Sequence, residues 1–551
     1  LLVSYLRFCS GNGVHVPLHL DGVGAFQCDV ERTGVVDGLL RRPCAAQHVQ
    51  AGDHPGRQGD DQLRLGAVVL LAEVRPAVQQ PDGLHPTGGL EAGVRVSGAA
   101  LGVGGVHGHL AGEQALLQGR ISLNGHAQLL AGGQQLLFNA ADIVVVGRFS
   151  GAHALAAVGS TGALINLLIN VFMGLSIGTN VLAAQGYGAK NAEDVSDTVH
   201  TSILLSLVSG AILIVVGILF SRPLLELMAT PEEVLGQAAL YMKIYFIGMP
   251  AMMAYNFGAA ILRAIGDTKR PLYYLLISGV VNVILNLIFV IIFKMGVAGV
   301  ATATVISQVI SAGMVLKCLM GLDGMCRLDL HKLAIHKDKL LNIARIGLPA
   351  GLQGAIFSIS NVLIQSSVNS FGAIAMAGNT AAGNLEGFVY TSMNSVYQTN
   401  LSFTSQNMGA GNRQRMKKIL GICLILVSVV GLVLGNGFVF FGQQLLGIYS
   451  SDPEVIQYGL NRMHLICAPY FLCGLMDVMV GSMRGMGYSF LPMIVSLIGA
   501  CGLRVVWIFT VFQWHRSLFT LYLSYPITWT ITALAHMACW YVVMYKKQPN
   551  K

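Results

Sequence analysis

From residue 129 to residue 545 the chain is an almost unbroken succession of long apolar runs, and this constrains its fold more than any other feature. We place them at 129–148, 158–184, 198–220, 236–262, 272–293, 297–318, 343–370, 374–404, 418–441, 457–483, 490–512 and 518–545. A helix needs about 20 apolar residues to cross a hydrocarbon core about 30 Å thick, so each run is long enough to span a bilayer. Only 11% of all residues are charged and 54% are hydrophobic. Soluble domains carry about 25% charged residues because their exterior must meet water. The reading is an all-α polytopic membrane protein with twelve transmembrane helices.

Before these runs the composition changes abruptly. Residues 1–133 contain no Lys, Met or Trp and a single Ile (Ile121), yet hold 8 of the 15 His. Their net charge is −2, against +10 for residues 134–551. Stretches such as 52–61 show neither helical nor strand periodicity. No basic n-region leads into an apolar stretch and a small-residue cleavage site, and the chain begins Leu1-Leu2. Lys, Ile and Met, the types missing or nearly so, are those with A/T-rich codons. Residues 1–128 are therefore expected to be a mistranslated or disordered extension. The domains that follow are expected at 129–320, a lobe of six helices; 321–342, a cytoplasmic linker; and 343–551, a second six-helix lobe with a tail.

Loop charge sets the expected orientation, since Lys and Arg concentrate on the cytoplasmic side. With the N-terminus inside, the cytoplasmic loops collect 18 basic residues, including Lys190, Arg263, Arg413 and Arg484; the opposite loops collect four, Arg148, Arg222, Lys294 and Arg516. Both termini are then cytoplasmic. The chain also repeats itself. Gly188-Ala-Lys-Asn191 returns as Gly409-Ala-Gly-Asn412, Arg263-Ala-Ile-Gly266 as Arg484-Gly-Met-Gly487, and Pro271 as Pro492, each 221 residues later. Six spans separate the copies, and six is even, so the halves run parallel. Two bundles related by an axis along the membrane normal, around a central cavity, are the expectation. Pro250, Pro469 and Pro526 fall within spans, where each removes a backbone hydrogen bond and can kink its helix.

The motifs carry a resemblance. Leu136-Leu-Phe-Asn-Ala-Ala-Asp142 with the following Ile143–Phe149 segment, then Ala154-Leu-Ala-Ala-Val-Gly159, resembles the first helix and loop of the multidrug and toxic compound extrusion (MATE) family. Gly186-Tyr-Gly-Ala-Lys-Asn191 is similar to its second-to-third helix loop, Arg263-Ala-Ile-Gly-Asp-Thr268 to its fourth-to-fifth, and Arg484-Gly-Met-Gly487 to the counterpart in the second half. The likeness runs from about Leu136 to Lys547. It implies a secondary exporter, not an enzyme, that moves organic cations or amphipathic drugs against inward H+ or Na+ by alternating access. It also implies a monomer in the plasma membrane, the inner membrane of a bacterium, with no cofactor beyond the coupling ion.

A carboxylate inside a bilayer costs about 2.5–3.5 kcal/mol on insertion scales, so an acid within a span is a functional candidate by default. Three lie well within the runs: Asp142, Glu386 and Asp477. Asp142 matches the family's first-helix acid, implicated in binding the coupling cation or proton. Asn282 and Asn286, spaced i, i+4, share one helix face and resemble the polar pair that completes that site. Glu386 is expected to line the cavity of the second lobe. Asp477 is expected either to line it or, preferably, to pair with Arg504. Some relatives carry a Glu early on the seventh helix; residues 347–357 have none, so no second-lobe Na+ site of that kind is expected.

No P-loop pattern is present in the sequence, so ATP is not the expected energy source. The cysteines form no C-x-x-C pair, and neither disulfide nor metal site is inferred. The excess positive charge reflects topology, not nucleic acid. The alternative is a flippase for a lipid-linked oligosaccharide, which shares the two-bundle architecture but should line its cavity with Arg or Lys for pyrophosphate. Arg504 is the main interior base by position, while Lys243 and Arg462 are placed near outer ends. Scarce interior bases favour the drug exporter.

Overall fold

The computed structural model describes residues 107–150, 152–228 and 230–545. Among these there is no strand, and the helices form twelve rods. They are α1 (His107–Phe149), α2 (Ala152–Gly188), α3 (Ala192–Leu227), α4a (Glu232–Ile247) with α4b (Met249–Ala264), α5 (Lys269–Ile292) and α6 (Gly296–Met320). The second set comprises α7 (Lys337–Asn369), α8 (Ala373–Gly409), α9 (Arg413–Phe440), α10a (Pro453–Ile466) with α10b (Phe471–Gly485), α11 (Phe490–Trp514) and α12 (Leu518–Tyr545). One core is built around Val146, Met242, Phe246 and Phe257 in the first bundle. Another is built around Val389, Met393, Val427 and Tyr522 in the second.

Prolines at matching places in the two halves break the fourth and tenth rods. Pro250 stands at the start of α4b and Pro469 between α10a and α10b, and each pair of half-helices meets at 48°. The missing N–H and the ring's clash with the preceding turn account for both breaks. Pro526 lies inside α12, which continues past it.

Eight rods are long and apolar enough to cross a membrane, and the two bent pairs bring the number to ten. The remaining two, α1 and α8, fall short for different reasons. α8 turns Asn379, Glu386, Asn400 and Asn407 into the protein, all buried, so its polarity faces neighbours and not lipid. α1 carries Gly132, Gly133, Gln134 and Gln135. It also begins at His107, well before the expected start at 129, because Leu117 and Ile121 pack into the core of the second bundle. Residues 1–106, the bulk of the segment expected to be foreign, lie outside the described residues.

The bundles meet chiefly along three contacts: α2 with α7, its counterpart α8 with α1, and α2 with α8. α2 crosses α7 through Gly174, Gly178, Gly347 and Gly351, where a Cβ on any of the four would overlap backbone of the opposing helix. Small residues let helix backbones approach this closely in a membrane. At the end carrying the basic loops, α2 meets α8: a Cβ on Gly188 would overlap the carbonyl of Gln406, and one on Gly409 the carbonyl of Gln185. The side chains of those glutamines complete the seam. Gln185 Nε2 donates to the Gly485 carbonyl at 2.9 Å, and Gln406 Nε2 to the Ala264 carbonyl at 2.6 Å. Every residue of one half of this seam has its counterpart 221 positions later, so the duplication seen in the sequence is a duplication of contacts.

Candidate functional site

In the first bundle, Asp142, Asn282 and Asn286 are brought together. Asn282 and Asn286 sit one turn apart on the buried face of α5, and Gly279, one turn earlier, lets that face close on the Phe138 ring of α1. Asn286 Nδ2 donates to Asp142 Oδ1 at 2.5 Å and to Asn282 Oδ1 at 3.1 Å. Asn282 Nδ2 in turn reaches Thr304 Oγ1 of α6 at 3.4 Å. Asn286 Oδ1 is left buried with no donor. An acceptor in that position costs about 1–3 kcal/mol unless something positive or protonated meets it.

A cavity of about 780 Å³ lies chiefly in the second bundle, lined there by α7, α8, α10a, α10b, α11 and α12 and closed on the side of the first bundle by α2 and by Arg263 of α4b. Glu386 lines it, as expected, but is not a free carboxylate. Arg462 holds it through two parallel bonds, Nε to Oε1 at 2.7 Å and Nη2 to Oε2 at 2.6 Å. The same guanidinium donates from Nη1 to Asn379 Oδ1, which also accepts from the Tyr522 hydroxyl at 3.0 Å. Asn379 Nδ2 donates to Gln365 Oε1 at 2.8 Å. Four helices are thus tied into one buried network, and Arg462, expected near an outer end, is 91% shielded.

Asp477 lines the cavity too, but the expected pair with Arg504 is not formed. Arg504 Nε donates to Thr528 Oγ1 at 3.1 Å, and the guanidinium lies 4.2 Å over the Tyr525 ring. The stacking on α12 turns it away from the carboxylate one helix back. Asp477 has no hydrogen bond or ion pair among the described residues.

The expectation of few interior bases is overturned. Arg263, Arg462, Arg484 and Arg504 all line the cavity, against two carboxylates. Arg263 and Arg484, which fall just past the apolar runs ending at 262 and 483, are expected in cytoplasmic loops, and Gly266 and Gly487 follow three residues later. Those glycines do make the turns, at φ +88° and +90°. The arginines, however, fall on the last turn of α4b and α10b and face inward. Arg484 donates to Tyr397 Oη and Gln353 Oε1, both at 2.8 Å. Their helical position next to a turn hid them; the polar residues of α7 and α8 that receive Arg484 were the one available signal.

Twelve helical rods among the described residues, in two parallel-related bundles with buried polar clusters and a ligand-sized cavity inside, define a polytopic membrane transporter. The MatE family model matches residues 134–288 and 349–510, and the chain belongs to that family, whose members are transporters. Residues 1–133 lie outside the match. The chain is 28% identical over 414 residues to the probable multidrug resistance protein YoeA of Bacillus subtilis, covering 74% of this chain and 89% of that protein. It is 27% identical over 350 residues to the FAD transporter of Shewanella oneidensis, covering 62% and 76%. The outward-facing structure of a multidrug resistance MATE family transporter of the MOP superfamily superposes with a TM-score of 0.73 at 20% identity, covering 78% of this chain and 96% of that one.

Proposed function

We propose that this chain is a secondary active exporter. It takes H+ or Na+ inward at Asp142 and moves an amphipathic organic molecule outward by alternating access, in a cytoplasmic membrane with both termini inside. The observation that carries the reading is the polar chain in the first bundle, in which the Asn286 amide joins Asp142 to Asn282 and the Asn282 amide reaches Thr304. Asn286 Oδ1, beside that carboxylate and left without a donor, is an acceptor for a cation or a proton donor. Occupancy by a proton or by Na+ cancels the buried negative charge, so either ion shifts the balance between the states in which the lobes face inward and outward. The names of relatives such as YoeA support export of drugs.

The cargo is where the alternatives divide. The four cavity arginines remove the argument that favoured an organic cation over a lipid-linked oligosaccharide, and they favour a cargo bearing negative charge. The exporter reading is tested by dye efflux from pump-deficient cells, using one cationic and one anionic amphipathic dye. Asp142→Asn is compared with the parent at matched membrane abundance. Efflux of either dye that drops to background in Asp142→Asn is the expected result, and repeating it without Na+ identifies the ion. Full efflux by Asp142→Asn would show that the coupling site lies elsewhere.

A further inference from the structure

We infer that the cavity of the second bundle binds an organic anion with an aromatic or similarly flat apolar body and a phosphate-like or carboxylate head. The inference rests on the exporter reading only for what happens after binding.

Charge comes first. Of the four guanidiniums that line the cavity, Arg462 is neutralised by its two-pronged bond to Glu386. Three remain, Arg263, Arg484 and Arg504, and the single further carboxylate of the lining is Asp477. The lining therefore carries positive charge in excess, in surroundings where charge is poorly screened. A cation entering this space would meet three unpaired guanidiniums for one carboxylate.

The donors come second. Each of those three arginines keeps a buried nitrogen without a hydrogen-bond partner: Nε of Arg263, Nε of Arg484 and Nη2 of Arg504. Arg484 and Arg504 are 95% and 97% shielded. A fully buried guanidinium that leaves an N–H unsatisfied is under-used as a structural element, because such a group costs stability until an acceptor arrives. Arginine donates to phosphate and carboxylate oxygens with charge-assisted bonds about twice as strong as neutral ones. Asp477 does not supply the acceptor, since it bonds none of them.

The body of the ligand is read from the wall. Tyr470, Tyr525 and Trp529 form an aromatic cluster, with Tyr470 and Trp529 centroids 5.2 Å apart and Tyr525 and Trp529 5.5 Å apart. Arg504 lies over Tyr525, so a base and a ring surface adjoin at one point of the lining. A flat apolar group laid on that wall would bring its acidic head beside the Arg504 guanidinium, whose Nη2 is closed off from the cavity and would have to turn toward the head to donate to it. Both a soluble aryl phosphate and the diphosphate head of a polyprenyl lipid present this chemistry.

The test uses the full chain, purified in detergent and reconstituted in vesicles, with 1-naphthyl phosphate as the probe and naphthylmethyl-trimethylammonium as its cationic counterpart. Binding is read from quenching of tryptophan fluorescence. The phosphate is expected to bind, with affinity falling at least about tenfold in Arg504→Gln and in Arg263→Gln, as expected for loss of a charge-assisted bond. Arg504→Lys is expected to recover part of the loss, which a folding defect would not. Displacement of the probe by a polyprenyl diphosphate would assign the head to a lipid, and lack of displacement to a soluble anion; both uphold the inference. Tighter binding of the ammonium than of the phosphate, or phosphate binding indifferent to both substitutions, overturns it. Ion-driven transport of the ammonium alone would sink this inference and leave the exporter reading intact. Phosphate binding with no ion-driven transport of either probe would do the reverse.

Discussion

Glu386→Gln destabilises the solubilised protein by about 3–5 kcal/mol, whereas replacing both partners, as Glu386→Leu with Arg462→Met, recovers most of that loss. The asymmetry follows from desolvation. The pair is buried and doubly hydrogen-bonded, so removing the carboxylate strands a guanidinium in a medium that cannot solvate it. Removing both charges leaves a cavity wall of similar volume with nothing stranded. Asn379, Tyr522 and Gln365 are joined to the same guanidinium network, so the loss loosens α7, α8, α10a and α12 together. Denaturation in mixed micelles, followed by intrinsic fluorescence, gives the free energies. A single substitution as mild as the double one would show that Arg462 does not hold Glu386 as the buried pair requires.

Gly188→Val combined with Gly409→Val abolishes transport without preventing membrane insertion. At both positions the added carbon would overlap a backbone carbonyl of the opposite lobe, and backbone cannot turn aside as a flexible side chain can. Overpacking of this kind costs about 1–3 kcal/mol per site. Two sites acting on one seam therefore shift the closed-to-open ratio by roughly one to four orders of magnitude, since 1.4 kcal/mol is tenfold. The amide bonds of Gln185 and Gln406 across the seam, at 2.9 and 2.6 Å, would be lost with it. Spin labels at Ala189 and Ala410 should report a distance distribution moved to longer values in the double variant. An unchanged distribution together with normal transport would mean that this seam is not the closure that the cycle needs.

Much of this was legible from residues alone. Bilayer thickness and backbone hydrogen bonding permit few solutions for a chain of long apolar runs, so the helical class followed directly. The repeat at 221 residues announced two like bundles, and the structure repeats contacts at that same spacing. Asp142, Asn282 and Asn286 were legible because an acid in an apolar run is costly and a spacing of four puts two amides on one face. α8 was harder to read as a span by hydropathy, since its polar residues are satisfied by neighbours that a sequence does not reveal.

Sequence by itself determined the twelve helical rods of the described residues, that they form two parallel copies, and which acids lie within them. Tertiary structure decided which charges meet. Arg462 reaches Glu386 across 76 positions, and Arg504 lies against Tyr525 and not against Asp477. Arg263 and Arg484 turn from presumed loops into the cavity. The apolar pattern is set by each helix's own exposure to lipid and survives in one dimension. Ion pairing depends on helix rotation and on the bends at Pro250 and Pro469, which only the packed bundle fixes.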